Sequence, residues 1–193
     1  EGLDNRELAL LFKRYLIEFD ENKFLALAAK HEGYLFPDTY FFDSGVSEED
    51  IIKTMRKNFS KKVGDIKLDV LVMASILEEE ARTRESRQII AGILWKRLKA
   101  RFPLQVDATL GYLVRRGSLQ LTMDDLAVDS PYNTYRYRGL PPGPITNPGL
   151  NAIIDAEEPK ETPYWFYLSD RNGSMHYAVT FEEHKKNRFK YLP

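Results

Sequence analysis

Residues 70–80 read Val70-Leu71-Val72-Met73-Ala74-Ser75-Ile76-Leu77-Glu78-Glu79-Glu80. The apolar part of this run covers nearly every side of a helix, which is typical of a buried helix. We therefore expect a central helix over residues 66–81, with the rest of the fold packed around it. With 43% hydrophobic residues in a chain of 193, enough apolar material is present for a real core, so disorder is not expected.

Three consecutive glutamates end this apolar run. A helical side chain leans over the turn that precedes it, so the residues three and four positions back form its floor. For Glu80 that floor is Ile76 and Leu77, whereas each of the two preceding glutamates has Ser75 in its floor. Burial disfavours a charged carboxylate, so the pKa of Glu80 is predicted to be raised, as a general acid requires near neutral pH.

The same glutamates also have a simpler interpretation. Glu78 and Glu80 lie four residues before Arg82 and Arg84, and such pairs on an exposed helix face contribute roughly 0.3 to 0.5 kcal/mol each. Arg84 would also lower the pKa of Glu80, against the acid role. The spacing alone does not decide between these interpretations.

Periodicity and turn signals divide the rest of the chain into helices and one hairpin. Helices are predicted over residues 8–16, 24–29, 47–59, 90–98, 108–114, from 122, over 147–158 and from 180. The expected N-caps are Ser47, Asp107, Asn147 and Thr180. The helix over 90–98 is expected to be half exposed, with Arg87 and Arg97 off its apolar face. Residues 164–168 and 175–179 flank Asn172-Gly173, a strong hairpin signal.

The predicted fold class is α+β, a mainly helical domain with a small antiparallel hairpin and long loops rich in proline and glycine. We expect one domain over residues 1–193, with a helical lobe over 1–60 and a core over 61–193. Residues 32–40 and 130–149 are the long loops, and loops of this length in a compact domain are usually functional. Their aromatic residues, which could stack on sugar rings, are Tyr34, Phe36, Tyr40, Tyr132, Tyr135 and Tyr137.

Composition excludes several classes of function. The 28 basic and 29 acidic residues nearly balance, which argues against nucleic acid as a partner. The absence of cysteine excludes thiol catalysis and cysteine-ligated zinc. The three histidines lie apart, and no serine-nucleophile or nucleotide-binding glycine motif is present, so we expect neither metal nor cofactor. No apolar run could span a bilayer, and Glu1-Gly2 does not begin a signal peptide.

Several motifs, in this order and spacing, resemble the YceG-like, or MltG, family of endolytic murein transglycosylases. They are the aromatic loop 32–40, the run 73–80, Leu104-Gln105-Val106-Asp107, Tyr132-Asn133-Thr134-Tyr135, and Gly139-Leu140-Pro141-Pro142-Gly143-Pro144-Ile145 with Asn147-Pro148-Gly149. The sequence departs from the family at Glu79, commonly lysine, and at Ala108, often proline. By the same resemblance Glu80 is the catalytic glutamate, the residue that the floor argument also selects.

The resemblance implies an activity without a second carboxylate. Glu80 would protonate the β-1,4 linkage between N-acetylmuramic acid and N-acetylglucosamine, then accept the proton of the muramic acid C6 hydroxyl, giving a 1,6-anhydro end. Asp107 is interpreted either as an N-cap or as a polar contact in a cleft with Gln105. The candidate substrate-binding residues are Glu32, Tyr34, Gln105, Asp107, Tyr132, Asn133 and Tyr135, of which Glu32, Gln105, Asp107 and Asn133 would stabilise developing positive charge.

The family also typically carries an N-terminal membrane helix and a small LysM-like region, so Glu1 is expected to follow them. The expected location is the cell membrane with an extracytoplasmic catalytic domain, and the expected partners are glycan strands and cell-wall synthases. Three alternatives stay open: a glycan hydrolase using Asp107 or Glu32 as second carboxylate, a non-catalytic glycan-binding module, and a pyridoxal phosphate lyase. No lysine stands in a context that suggests a Schiff base for the last.

Overall fold

A computed structural model of the protein describes residues 1–115 and 120–192. Two short strands, β1 (Phe166–Ser169) and β2 (Met175–Ala178), form an antiparallel sheet beside a helical body, so the α+β class is confirmed. Pro193, the last residue of the predicted core region, lies outside the described residues. A 3₁₀ turn at Ala29–His31 follows the second helix. The helices are α1 (Asn5–Tyr15), α2 (Glu21–Ala28), α3 (Glu48–Lys62), α4 (Leu68–Glu80), α5 (Arg84–Lys99), α6 (Asp107–Val114), α7 (Met123–Leu126), α8 (Leu150–Glu157) and α9 (Phe181–Tyr191).

Helix α4 forms the centre of the fold. Every residue from Leu71 to Leu77 is buried, and seven consecutive residues cover about two turns and therefore all sides of the helix. Helices α5 and α8 pack directly against it. The predicted central helix is confirmed, although it starts at Leu68 and ends at Glu80.

A second hydrophobic cluster joins α1, α2 and α3. The rings of Phe12, Phe19 and Phe24 lie with centroids 5.4 to 5.8 Å apart, in tilted arrangements that aromatic pairs prefer. The other buried side chains of this cluster are Leu8, Ala9, Ala28, Leu35, Ile51, Ile52 and Met55. The first sixty residues therefore contain an apolar cluster of their own beside the one around α4.

Several helices begin where the sequence predicts. Ser47 caps α3 by accepting a hydrogen bond from the backbone N–H of Asp50 at 3.2 Å. Thr180 and Glu183 form a reciprocal capping box at the start of α9. Helix α7 begins directly after Thr122, as expected. Local side-chain chemistry is sufficient to set these three helix starts.

Two predicted N-caps are wrong. The residue that caps α6 is Val106, and the residue that caps α8 is Gly149. Asp107 instead accepts a hydrogen bond from the Tyr135 hydroxyl. The side-chain oxygen of Asn147 accepts a hydrogen bond from the backbone N–H of Leu35 at 2.8 Å. Both side chains are engaged in contacts that are distant in sequence, so they cannot bond to the first turn of the helix that follows.

The predicted hairpin is confirmed. Phe166 lies opposite Ala178 and Ser169 opposite Met175. In the turn, Oδ1 of Asp170 accepts backbone hydrogen bonds from Asn172 at 2.9 Å and from Ser174 at 3.0 Å. Helix α9 packs against both strands and covers the sheet.

The two predicted loops lie side by side over α4. Residues 127–149 form neither helix nor strand, and Oγ of Ser75 in α4 anchors them by accepting the backbone N–H of Ile145 at 3.0 Å. Gly33 has a left-handed φ of 83°, and a Cβ there would lie 2.4 Å from Cγ of Pro144, so only glycine permits this contact. In both described ranges, every helix is too short or too polar to cross a bilayer.

Candidate active site

Glu80 is the last residue of α4. Ile76 and Leu77, which form its predicted floor, are fully buried, and the Glu80 side chain itself is half-buried. The following residue, Ala81, has extended backbone angles, with φ −154° and ψ 139°, so the helix stops there. A rigid, buried helix therefore fixes the position from which this carboxyl group projects.

The salt-bridge interpretation of the glutamates is wrong. Arg84 belongs to α5 and lies 3.4 Å from Oδ1 of Asp155 and 3.1 Å from Oε2 of Glu158. Glu78 accepts the backbone N–H of Gly149 at 2.8 Å. The i,i+4 geometry is lost because α4 ends at Glu80 and a non-helical segment separates it from α5.

Burial and hydrogen bonding act in opposite directions on the Glu80 carboxyl group. Burial is the larger effect and raises the pKa from 4.5 to about 7. The nearby Tyr167 hydroxyl and the backbone N–H of Ala108 favour the carboxylate and lower the pKa, while the nearby charge of Asp107 raises it. A carboxyl group with this pKa can release a proton and accept one near neutral pH. The predicted direction of the shift is confirmed.

Glu79 also has a raised pKa, which the floor argument did not predict. Partial burial and the carboxylates of Glu7, Glu78 and Asp4 raise it to about 7. The Glu79 side chain is exposed, so water solvates its charged form and opposes the effect of burial. The half-burial of Glu80, against the exposure of Glu79, distinguishes the two residues.

Helix α6 places the carboxylate of Asp107 beside Glu80. The Tyr135 hydroxyl donates to Oδ1 of Asp107, and burial together with this bond raises the pKa of the Tyr135 phenol. Tyr135 therefore stays protonated and remains a donor. The N-cap interpretation of Asp107 is therefore wrong, and its predicted polar contact in a cleft with Gln105 stays a prediction.

Gln105 precedes this helix in a strained backbone conformation. Its φ is 51°, a left-handed value that residues other than glycine, asparagine and aspartate seldom adopt. Two bonds to Thr134 hold the segment: the N–H of Gln105 donates to the Thr134 carbonyl at 3.1 Å, and the N–H of Val106 donates to its Oγ1 at 2.9 Å. The Gln105 side chain is left exposed two residues before Asp107.

Asn133 is fully buried and serves the protein's own backbone. Its amide nitrogen donates to the carbonyls of Leu126 at 3.0 Å and Val128 at 2.8 Å, and its oxygen accepts the N–H of Tyr135 at 3.0 Å. A direct contact between Asn133 and a substrate would require these bonds to break. In the structure Asn133 shapes the loop that presents Tyr135.

Glu32 lies at the opposite end of α6, beside Tyr112 and Tyr132. The two tyrosine rings have centroids 5.3 Å apart. Glu32 accepts the backbone N–H of Asn5 at 3.1 Å. Burial is the main cause that raises its pKa to about 8, followed by the charge of Asp4. Tyr112 lies five residues after Asp107 in α6, so about 7.5 Å along the helix axis separates the Glu32 group from the end of α6 that carries Asp107.

The remaining predicted aromatic residues pack into the protein to different degrees. Tyr34 is half-buried, with its ring 5.1 Å from that of Phe59 and the Arg56 guanidinium 4.7 Å above it. Phe36 is buried, and its carbonyl accepts the Tyr40 hydroxyl at 2.6 Å. The structure thus groups Asp107 and Tyr135 with Glu80 and groups Tyr132 with Glu32, whereas Tyr34 packs elsewhere.

Two residues near Glu80, Tyr167 and Arg97, have no predicted chemical role. Tyr167 lies in β1, far along the chain from α4. Arg97, expected off the apolar face of its helix, is only 4% exposed, and Arg87 is also buried, with Nε 2.7 Å from Oδ2 of Asp155. Arg97 donates to the Leu104 carbonyl at 2.6 Å and to the Trp165 carbonyl at 2.6 and 2.8 Å. It therefore joins the segments leading into α6 and β1, which flank Glu80.

Neither possible metal-binding groups nor surface depressions indicate a different active site. In the part of the chain that the structure describes, no three acidic or histidine side chains are grouped so that they could bind a metal ion. Two open depressions of about 470 Å³ each lie on either side of Trp95, near the first turns of α4. Glu80 is at the other end of this helix, about 18 Å away. The chemistry of the side chains, rather than concavity, identifies the site.

Comparison with known proteins agrees with the motifs. A crystal structure of a yceG-like protein from Listeria monocytogenes has a TM-score of 0.84 to this chain at 31% identity, covering 96% of this chain and 73% of that one. The endolytic murein transglycosylase of Bacillus subtilis strain 168 is 41% identical over 172 residues, which cover 83% of this chain and 48% of the relative. That of Streptococcus pneumoniae D39 is 33% identical, covering 81% of this chain and 31% of the relative.

The chain therefore spans about half the length, or less, of the curated relatives that it matches. The sequence model of the YceG-like family matches residues 1–190. This chain belongs to the YceG-like family.

Proposed function

We propose that this chain is the catalytic domain of an endolytic peptidoglycan lytic transglycosylase in which Glu80 acts first as acid and then as base. The observation that carries the proposal is the half-buried Glu80 carboxyl group, with its pKa raised to about 7, between the Tyr167 hydroxyl and the first turn of α6. The names of the relatives from Bacillus subtilis and Streptococcus pneumoniae support the same activity.

In the first step, protonated Glu80 donates its proton to the oxygen of the β-1,4 linkage between N-acetylmuramic acid and N-acetylglucosamine. The bond from C1 of the muramic acid to this oxygen breaks, and the N-acetylglucosamine portion leaves with a free 4-hydroxyl. Positive charge develops on the ring oxygen and C1. Glu80 is then a carboxylate, which is the form that the Tyr167 hydroxyl and the Ala108 N–H favour.

In the second step, the C6 hydroxyl of the muramic acid attacks C1 of its own ring, and Glu80 accepts the hydroxyl proton. The products carry a 1,6-anhydro end, no water is consumed, and Glu80 returns to its starting state. An internal nucleophile has a high effective concentration. A second catalytic carboxyl group, which glycoside hydrolases need, is therefore unnecessary.

The residues around Glu80 have proposed supporting roles. Asp107 lies close enough to stabilise developing positive charge, and the exposed Gln105 side chain can bind polar groups of the sugar. Asn133 contributes by shaping the loop. The Glu32 group at the far end of α6 would bind a neighbouring part of the glycan strand. The proposed substrate-binding residues are Glu32, Tyr34, Gln105, Asp107, Tyr132, Asn133 and Tyr135.

The cellular setting follows from the substrate. Peptidoglycan lies outside the cytoplasmic membrane, so we place the domain in the extracytoplasmic space, working on newly made glycan strands beside the cell-wall synthases. The hydrophobic cluster of α1, α2 and α3 and the cluster around α4 would then belong to one catalytic domain.

Digestion of purified peptidoglycan tests the proposal. We expect Glu80→Gln to lower the rate of strand cleavage by a factor on the order of 10² to 10⁴, since the proton donor is lost. Thermal unfolding at neutral pH should occur at or above the temperature of the wild type, because glutamine cannot ionise at this buried position. Glu79→Gln is the matched control, because it neutralises the adjacent carboxyl group and should retain activity. Full activity of Glu80→Gln would overturn the mechanism.

A hydrolase remains the alternative that the structure favours next, because Asp107 lies beside Glu80. Mass spectrometry of the released muropeptides separates the two reactions. Hydrolysis adds one water and yields a reducing end, whereas the proposed reaction yields the anhydro end. Binding to peptidoglycan with no soluble fragments released would instead indicate a glycan-binding module.

A further inference from the structure

The backbone of Gln105 is held from both sides in its strained conformation. The side chains of its two neighbours, Leu104 and Val106, are buried. On one side, the Leu104 carbonyl accepts a hydrogen bond from Arg97 at 2.6 Å. On the other side, Thr134 accepts the backbone N–H groups of Gln105 and Val106. These contacts keep Gln105 at its left-handed φ of 51°, which is unfavourable for a residue with a Cβ atom.

A pair of buried threonines ties this segment to α6. Oγ1 of Thr109 donates to the Val106 carbonyl at 2.8 Å and lies 3.0 Å from Oγ1 of Thr134. Thr109 belongs to α6, the helix that also carries Asp107. Backbone and threonine hydrogen bonds therefore fix the backbone of Gln105 relative to Asp107, and the Gln105 side chain is not needed for this.

The Gln105 carboxamide is not used by the protein itself. The side chain is exposed, and within residues 1–115 and 120–192 its carboxamide makes no hydrogen bond to another residue. Glycine adopts a left-handed φ without steric cost, so glycine would suit this position better if only the fold mattered. An unused polar side chain at a strained position indicates a role in binding.

Gln105 offers a kind of hydrogen bond that the neighbouring carboxylates cannot make. It lies two residues before Asp107, at the start of α6, and α6 packs against α4, which ends at Glu80. As carboxylates, Glu80 and Asp107 can only accept hydrogen bonds, so they suit the hydroxyl groups of a sugar. The carboxamide of Gln105 adds two N–H donors.

The glycan strand carries a group that requires such a donor. Both sugars of its repeating unit have an acetamido group, and the carbonyl oxygen of this group can only accept. An acceptor that loses water without gaining a donor weakens binding. Building on the proposed function of Glu80, we propose that Gln105 determines specificity for N-acetylated glycan by donating a carboxamide N–H to an acetamido carbonyl beside the bond that is cleaved.

De-N-acetylated peptidoglycan tests this proposal. Deacetylases remove the acetyl group from N-acetylglucosamine in one preparation and from N-acetylmuramic acid in another, and kcat/KM is measured on both and on intact peptidoglycan. One neutral hydrogen bond corresponds to a factor of about 2 to 12. We expect Gln105→Ala to lower kcat/KM by this factor on intact peptidoglycan. On the preparation that lacks the recognised acetyl group, Gln105→Ala and the wild type should have equal kcat/KM.

Gln105→Glu should reverse the preference. A carboxylate cannot donate to an acetyl carbonyl, and it attracts the protonated amine that de-N-acetylation exposes. At mildly acidic pH this variant should therefore cleave one de-N-acetylated preparation faster than intact peptidoglycan, whereas the wild type should prefer intact peptidoglycan. A general folding defect would lower the rates on all substrates alike.

Gln105→Gly separates binding from folding. Glycine relieves the left-handed strain, so the melting temperature should rise by about 2 to 4 °C, while the preference for the acetyl group should be lost as in Gln105→Ala. A melting temperature below that of the wild type would show that the side chain serves the fold, against the proposal.

Gln88→Ala is the matched control. It removes a carboxamide from α5, where Gln88 is half-buried and its backbone carbonyl accepts the N–H of Lys160 at 2.9 Å. It should retain the wild-type preference among the three substrates.

The proposal is overturned if Gln105→Ala and the wild type show the same ratio of rates between intact peptidoglycan and each de-N-acetylated preparation. A complete loss of cleavage on every substrate would exceed the effect of one hydrogen bond and would also contradict it. The failure of the proposed function would look different, because Glu80→Gln would then retain activity on intact peptidoglycan. An inactive Glu80→Gln combined with unchanged ratios would remove only the role of Gln105.

Discussion

Glu80 and Glu32 lie at opposite ends of α6 and share an unusual property. Burial raises the pKa of both carboxyl groups, to about 7 for Glu80 and to about 8 for Glu32. Their partners differ. Glu80 meets a tyrosine hydroxyl and the first turn of a helix, whereas Glu32 is bonded to the backbone of Asn5 and, at 3.4 Å, to the side chain of Asn147.

The difference shows that a raised pKa does not by itself identify a catalytic acid. Glu32 and Asn147 join three distant parts of the chain: the start of α1, the aromatic loop and the loop before α8. Such a junction stabilises the fold whether or not a substrate is present. Glu80 lies at the end of α4. Its carboxyl group can change between the carboxylate and the carboxylic acid without breaking a junction between distant parts of the chain.

The larger pKa shift of Glu32 should be measurable as a pH dependence of the free energy of unfolding. A carboxyl group with a raised pKa binds more protons in the folded state than in the unfolded state, so its contribution to stability falls as pH rises from about 4.5 to about 8. Glu32→Gln removes this dependence. As the pH rises from about 5 to about 9, we expect the free energy of unfolding of Glu32→Gln to increase by roughly 3 to 4 kcal/mol relative to that of the wild type.

Urea denaturation of both proteins at several pH values measures this gain. Glu80→Gln provides the comparison, and its smaller pKa shift should give a gain of roughly 2 to 3 kcal/mol over the same interval. Parallel stability curves for wild type and Glu32→Gln would contradict the burial of Glu32 as a partly neutral acid.

The junction at Asn147 should be important for stability and unimportant for Glu80. Asn147 is 2% exposed, and its side chain accepts the Leu35 N–H and donates to the Leu3 carbonyl at 3.0 Å. Asn147→Ala leaves these buried groups without their partner. We expect a loss of about 2 to 3 kcal/mol in the free energy of unfolding.

Asn58→Ala is the matched control for this measurement. Asn58 makes two hydrogen bonds of 2.9 Å on a partly exposed face of α3, to Asp38 and Tyr40, so its loss should cost less than about 1 kcal/mol. The titration midpoint of Glu80 should be the same in both variants. An equal loss of stability in the two would show that the Asn147 junction has no special role.

The sequence predicted the features that depend on neighbouring residues. The buried helix and the apolar floor of Glu80 follow from residues three and four positions apart, and Ser47 and Thr180 cap the helices that follow them. The predicted N-cap roles of Asp107 and Asn147 are wrong because both side chains form hydrogen bonds to parts of the chain far away in sequence. Their position before a helix carries no sign of those partners.

The surroundings of Glu80 could not be predicted for the same reason. Tyr167 reaches Glu80 only because a hairpin folds back beside the tip of α4, and the sequence of the hairpin specifies its turn but not the surface on which it packs. Arg97 has the spacing of an exposed residue, yet it is buried because two backbone carbonyls accept its hydrogen bonds. Local pattern therefore locates the acid, and tertiary packing determines its donors.

The smallest expected effect concerns activity at Glu32. Glutamine there keeps an acceptor for the Asn5 N–H, so Glu32→Gln should preserve the junction and change the rate of muropeptide release by less than about tenfold. The change should appear in KM rather than in kcat, because Glu32 lies beside Tyr112 and Tyr132 rather than beside the proposed acid. Initial rates over a range of peptidoglycan concentrations separate the two constants. A fall in kcat as large as that of Glu80→Gln would instead place a second catalytic carboxyl group at Glu32 and favour hydrolysis.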